Sequence, residues 1–215
     1  MKERPIIFST EMVRTIIGGH KTQTRRVIKP QPFAVFHVKS TVKRETTESL
    51  AAMADILYRE EAPKSCPFGQ PGDRLWVRET FGVQLEPGIF EDYPNGYVIY
   101  KADLPDGATF DYEGGGSAWR PSIHMPRWAS RTVLEIINIK VGRVQEISEA
   151  DAQREGWFFQ NMDVNQTYDP VIMDYAHRWF IDLWDNLNAK RGFPWESNPW
   201  VWIIEFKMLE ISNNA

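Results

Sequence analysis

The residues best suited to chemistry stand together near the N-terminus, in the run Gly19-His20-Lys21-Thr22-Gln23-Thr24-Arg25-Arg26. A lysine acts as a base near neutral pH only when burial or nearby cations depress its pKa, and Arg25 and Arg26 supply cations close to Lys21 in the chain. A threonine hydroxyl such as that of Thr24 stays inert until a neighbour removes its proton. The planar fork of Arg26 suits a carbonyl or phosphate oxygen. A second run, Trp119 to Arg131, interleaves Arg120, His124, Arg127 and Arg131 with Trp119 and Trp128 and contains no acidic residue. Arginines there can hold phosphates while indoles stack on bases. Equally, the tryptophans can fill the interior while the arginines pair with carboxylates. His124 by itself reads as a structural or ligand hydrogen-bonder rather than a catalyst. Glu79 is a rival acid, either the buried partner of an arginine or a residue bordering a cleft.

The rest of the chain bounds what these residues can do. At 215 residues, with 42% apolar content and nine tryptophans, it predicts one domain with insertions and an ample core. Its net charge of −4 excludes a protein that coats nucleic acid by bulk electrostatics, so a nucleotide or RNA partner requires a local basic cleft. Cys66 is the sole cysteine, which excludes an internal disulfide and a multi-cysteine zinc site. The histidines His20, His37, His124 and His177 are scattered, so neither a metal nor an organic cofactor is expected. Met1 to Pro5 lacks the apolar core of a signal peptide, and no apolar run is long enough for a membrane span. The expectation is a cytoplasmic protein with no membrane partner.

The elements that must position these residues are legible from periodicity. Pro5 to Phe8 reads as a strand, and Ser9 or Thr10 caps a helix whose Met12, Val13, Ile16 and Ile17 share a face. Gly18-Gly19 stops that helix, and Thr22 to Ile28 is a strand. A helix is predicted near Glu48 to Arg59, and a strand over Arg74 to Phe81 with Leu75, Val77, Glu79 and Phe81 on one face. Further on come a Pro94-Asn95-Gly96 turn, a strand at Tyr97 to Tyr100 and a glycine run at Gly114 to Gly116. Thr132 to Val144 is a long strand in which Ile137, Ile139 and Val141 alternate with polar residues or glycine. Ser148 starts a short helix that Gly156 ends, and Pro170 opens a longer one with Ile172, Ala176, Trp179, Phe180, Leu183 and Leu187 on its face. Within that helix the aromatic stripe reads as core packing. Trp200 to Met208 alternates as a final strand. Strands mixed with helices predict an α+β fold around a small barrel.

Gly19-x-Lys21-x-x-Thr24-x-Arg26 resembles the signature of the ASCH family, set between a first helix and a strand as in that family. Ile147 to Gly156 resembles the family's short helix, Trp202 to Lys207 its closing strand, and Gly72 to Val77 a further matching segment. The resemblance implies a PUA-like, mixed β-barrel with flanking helices, a single domain over residues 1–215 enlarged by insertions at about 30–72 and 82–131. Trp119 to Trp128 resembles a subgroup met in phages and prophage-bearing bacteria. Family members include RNA-binding modules, a ribonuclease-like branch, and amidohydrolases that remove the acetyl group of N4-acetylcytidine. The working Lys, Thr and Glu of that last branch correspond to Lys21, Thr24 and Glu155.

On that resemblance, Lys21 is the base, Thr24 the nucleophile, Glu155 the proton carrier or the holder of the cytosine amino edge, and Arg26 positions the substrate. Gly19, Glu79, Arg120, His124, Arg127 and Trp128 complete the expected binding set. Two alternatives share the cleft: a noncatalytic RNA or nucleic-acid binding module using Arg120, Arg127 and Trp128, and RNA cleavage with Lys21 and Arg26 stabilising phosphate charge. Lys21 and Thr24 would face opposite sides of an ideal strand, so they converge only if Lys21 sits in the turn after Gly19. Glu155, in the last turn of its helix, meets the unfavourable end of the helix dipole.

Overall fold

The computed structural model describes residues 1–32, 55–84, 97–107, 119–157 and 175–211. The strands are β1 Glu3–Ile7, β2 Gln23–Val27, β3 Arg74–Arg78, β4 Phe81–Gln84, β5 Tyr97–Tyr100, β6 Thr132–Arg143 and β7 Trp200–Ile211. Helices are α1 Thr10–Ile17, α2 Glu149–Arg154 and α3 Tyr175–Asn188, and residues 55–61 are helical as well. The architecture is α+β: a mixed five-stranded sheet in the order β1-β3-β6-β7-β2 and a separate β4-β5 pair. β1 runs parallel to β3, and the remaining neighbours are antiparallel.

The expected barrel does not form, because neither sheet closes. β1 and β2 are the edges of the large sheet, and among the described residues no ladder joins them. Across the gap the Arg26 guanidinium donates from Nη2 to the Ile7 carbonyl at 2.6 Å and lies 5.0 Å over the Phe8 ring. A side chain spans the edges where a closed barrel would have a strand-to-strand ladder. The opening left between them is where the candidate site lies.

Local chemistry explains most element ends. The Ser9 hydroxyl accepts from the Met12 amide at the start of α1, and Gly19 at φ 76° takes the left-handed turn that releases the chain toward Lys21. Arg14 ties α1 to the segment after β5, donating to the Ala102 carbonyl at 2.9 Å and to Asp106 at 2.6 Å. Ser148 caps α2 by accepting from the Asp151 amide, and Gly156 at φ 113° ends it. The turn before β2 is held at both ends: the Thr22 amide donates to the Arg154 carbonyl, and the Phe206 amide donates to the Thr22 carbonyl.

Two strand expectations need correction. The segment from Arg74 to Phe81 is two strands, broken at Glu79 and Thr80, where the chain leaves the large sheet for the small one. Its alternation persists through the break, with Leu75, Val77, Glu79 and Phe81 all buried. In β6 the pairing slips between Ile136, opposite Phe206, and Asn138, opposite Glu205. Ile137 is the extra residue of a β-bulge, so it is 46% exposed while Ile136 and Ile139 are both buried. The Pro94 to Gly96 turn, the Gly114 to Gly116 run, the N-terminal part of the helix near Glu48, Pro170 and Ile172 lie outside the described residues.

The large sheet is covered on both faces where β6 and β7 pair, so adjacent Val201 and Trp202 are both buried. One core gathers Ile6, Phe8, Val13, Ile16, Leu134, Trp202 and Phe206. A second gathers Val144, Ala152, Phe180, Trp184 and Val201 under α2 and α3, and a small third gathers Phe81, Tyr100, Met125 and Ala129 beside the β4-β5 pair. The motif residues sit at the seam between the first two cores.

Candidate ligand site between the sheet edges

A cavity of about 400 Å³ lies in the opening between β1 and β2, closed on the far side by α3. Ile7, Phe8 and Ser9 form one wall, Thr24 to Val27 another, and Phe180, Leu183, Trp184 and Leu187 of α3 a third. Glu155 reaches the cavity from the end of α2, and Lys29, Phe68, Arg191 and Phe193 also line it. Ser122 also borders it, so the Trp119 to Arg131 stretch reaches the cavity through its Ser122–His124 turn and not through its arginines.

Lys21 occupies the turn after Gly19, two residues before β2, and Thr24 lies on the strand. That placement removes the facing conflict an ideal strand would impose. The Lys21 side chain is fully enclosed: Nζ donates to Glu155 Oε2 at 2.7 Å and to the Glu155 carbonyl at 2.6 Å. Burial pulls the Lys21 pKa below its ordinary value, Glu155 opposes that shift, and Arg26 and Arg25 add to it. Glu155 Oε1 also accepts from Arg25 Nη1 at 3.1 Å, and Arg25 Nη2 reaches Asp151 at 3.2 Å. Two carboxylates thus serve the two cations Lys21 and Arg25. Thr24 and Glu155 face the cavity, whereas Lys21 stands one layer behind them.

Arg26 has no described carboxylate partner. Burial lowers its pKa to about 10; Glu155 opposes the shift and Arg191 adds to it. Its Nε is buried with no hydrogen-bond partner among the described residues.

The remaining predicted binding residues are not gathered here. Glu79 is buried against Arg131, which donates from Nε to Oε1 at 3.1 Å and from Nη2 to Oε2 at 3.2 Å. Burial raises the Glu79 pKa, with Arg131 opposing it. Arg127 forms a two-pronged pair with Glu3 at 2.9 and 3.1 Å. Arg120 joins Phe81 in an isolated β-bridge, and His124 and Trp128 are exposed away from the cavity lining. Sequence reasoning passed over Phe8, Lys29, Arg191 and Phe193, which lie on separate segments with no shared periodicity. The α3 stripe, read as core alone, is both core and cavity wall.

No family model matches this chain, and no curated protein does. The chain shows a weak structural resemblance to two solved proteins. One is a protein of Enterococcus faecalis V583 described as family DUF984, with TM-score 0.43 and 9% identity over 99% of this chain and 78% of that one. The other is an ASCH domain of Lactobacillus crispatus JV V101, with TM-score 0.39 and 10% identity over 96% of this chain and 79% of that one. Among the described residues no group of three or more His, Cys, Asp or Glu is placed to hold a metal ion, and no helix is long and apolar enough to cross a membrane.

Proposed function

We propose that the cavity between β1, β2 and α3 binds a nucleobase-bearing ligand, a modified pyrimidine nucleoside or an unpaired nucleotide of RNA. The observation that carries this reading is the make-up of the lining. Phe8, Phe68, Phe180, Trp184 and Phe193 supply flat apolar walls, while Thr24 and Glu155 present a hydroxyl and a carboxylate. A base buries its faces on aromatic rings and satisfies its polar edge with a few placed donors and acceptors. A cavity of about 400 Å³ accommodates one nucleoside, so recognition is of a single flipped or free base and not of a duplex.

Titration with cytidine, N4-acetylcytidine and a short single-stranded RNA, followed by calorimetry, tests the reading. Saturable binding by at least one of them is expected. Thr24→Val keeps the volume and deletes the hydroxyl, and it should weaken binding by about tenfold, the worth of one hydrogen bond of roughly 1.4 kcal/mol. Absence of saturable binding by all three ligands overturns the reading.

The Lys21–Glu155 contact beside Thr24 favours a second reading, hydrolysis of an N4-acyl cytosine. In that reaction Lys21 first passes its proton to Glu155, and the amine so formed takes the Thr24 proton as the hydroxyl oxygen attacks the acyl carbon. The carbon–nitrogen bond breaks and the departing amine takes a proton relayed by Glu155. Water then cleaves the acyl-threonine and releases the carboxylic acid. The depressed Lys21 pKa supports the base role, and the motif's likeness to the amidohydrolase branch agrees with it. Acetate release from N4-acetylcytidine by the wild type, lost in Thr24→Val, is the expected result. Binding without turnover leaves the protein a noncatalytic module.

A further inference from the structure

The lining of the cavity is not electrically balanced. Glu155 and Asp151 are engaged by Lys21 and Arg25, and Arg154 draws further on Asp151. Arg26, Lys29 and Arg191 also line the cavity, and among the described residues none of them pairs with a carboxylate. Arg26 donates to the Ile7 carbonyl, and Lys29 Nζ lies 5.0 Å over the Phe193 ring. Neither contact supplies a negative charge. Three cations with no direct carboxylate partner among the described residues, the exposed Lys29 and Arg191 and the half-buried Arg26, thus stand at one concavity of a chain of net charge −4.

The cations come from separate parts of the chain. Arg26 is on β2, Lys29 follows it, and Arg191 ends the short 3₁₀ turn Ala189–Arg191 after α3. Gly192, at φ 86°, turns the chain sharply there, and the Phe193 carbonyl accepts from Trp184 Nε1 at 3.0 Å. The loop carrying Arg191 is therefore anchored to the α3 aromatic that walls the cavity. Arg191 is near enough to disfavour the Arg26 charge, and among the described residues the buried Arg26 Nε has no acceptor. Like charges left facing one cavity favour an anion whose oxygens accept from several donors at once.

From this we infer that the site takes a phosphorylated ligand, with a phosphate group seated on Arg26 and Arg191 and Lys29 at the rim. This rests on the nucleobase-site reading and narrows it: the ligand is a nucleotide, free or within RNA, in preference to an uncharged nucleoside. The base lies against Phe8, Phe180 and Trp184, and its phosphate points to the mouth of the cavity between β2 and the end of α3.

Calorimetry on the full chain compares cytidine, cytidine 5′- and 3′-monophosphate, a short single-stranded RNA and inorganic phosphate. At least one monophosphate should bind about tenfold or more tightly than cytidine, the gain of a charge-assisted contact. That preference should collapse in Arg191→Gln and persist in Lys140→Gln, a surface control remote from the cavity. Equal affinities for nucleoside and both monophosphates overturn the phosphate site while leaving the base site standing. If neither nucleoside nor nucleotide binds, the base reading fails and inorganic phosphate decides alone. A phosphate-dependent rise in melting temperature, lost in Arg191→Gln, then supports the anion site; no rise overturns it. Tight binding of RNA with weak binding of both monophosphates assigns the phosphate to a polymer, and the reverse assigns it to a free nucleotide.

Discussion

The Lys21–Glu155 contact yields an asymmetric prediction. Glu155→Gln keeps the shape of the side chain but removes the anion, leaving the fully enclosed Lys21 ammonium with a carbonyl and an amide for partners. Stranding a buried charge in this way costs about 3–5 kcal/mol. Lys21→Met removes the cation instead, and Glu155 keeps Arg25 at 3.1 Å, so its charge is still paired. The cost falls to roughly 1–3 kcal/mol, that of lost hydrogen bonds to a charged group. For a chain of this size each kcal/mol moves the midpoint by about 2–4 °C, so Glu155→Gln should melt about 6–20 °C low and Lys21→Met about 2–12 °C low. Urea denaturation at neutral pH, read as free energies alongside the melting curves, measures both. The Glu155→Gln deficit should also shrink toward alkaline pH. Its Lys21 pKa lies further below the ordinary 10.5 than in the wild type. The folded state then binds fewer protons than the unfolded one, and stability rises with pH until the unfolded lysine has also lost its proton. If Lys21→Met proves as damaging as Glu155→Gln, or both stay within roughly 0.5 kcal/mol of wild type, then Glu155 is not the shared anion of two buried cations.

Gly156→Ala should cost about 1–3 kcal/mol for the left-handed backbone alone, and a Cβ there would also meet Thr15 Oγ1 at 2.9 Å. Lys21 Cβ lies only 3.4 Å from the same point, so calorimetry should show ligand affinity falling with stability. For Glu79→Gln the pH trend is diagnostic. Burial raises the wild-type Glu79 pKa, so the folded state holds its proton longer and the wild type loses stability as pH climbs from 4.5 toward that raised value. The deficit of Glu79→Gln should therefore be largest near pH 4.5 and diminish above it, as melting curves across that range will register. Arg127→Ala breaks a surface pair with Glu3 and should cost only about 0.2–1 kcal/mol. Since Arg127 is absent from the cavity lining, nucleotide affinity should be unchanged in that variant.

Local pattern was enough to read much of this protein from its sequence. Ser9, Gly18 and Gly19 bound α1, Ser148 and Gly156 bound α2, and the alternation in β3 and β7 marks their buried faces, because caps and periodicity act over a few residues. The pattern put Thr24 on a strand and made a turn at Lys21 the condition for the two to meet, and the family likeness pointed to Glu155. Tertiary structure decided what no short-range signal encodes. Whether the sheet closes depends on whether β1 and β2 come within ladder distance, and here Arg26 bridges them without a ladder. The bulge at Ile137 depends on pairing with β7, and it reverses the face expected of that isoleucine. Glu79 and Arg127, read from sequence as binding residues, are matched with Arg131 and Glu3, partners 52 and 124 residues away. The cations left without a carboxylate partner among the described residues at the cavity, Lys29 and Arg191, carry no motif at all. A charge is free or neutralised according to which distant side chain folds against it, and that is a property of the assembled chain.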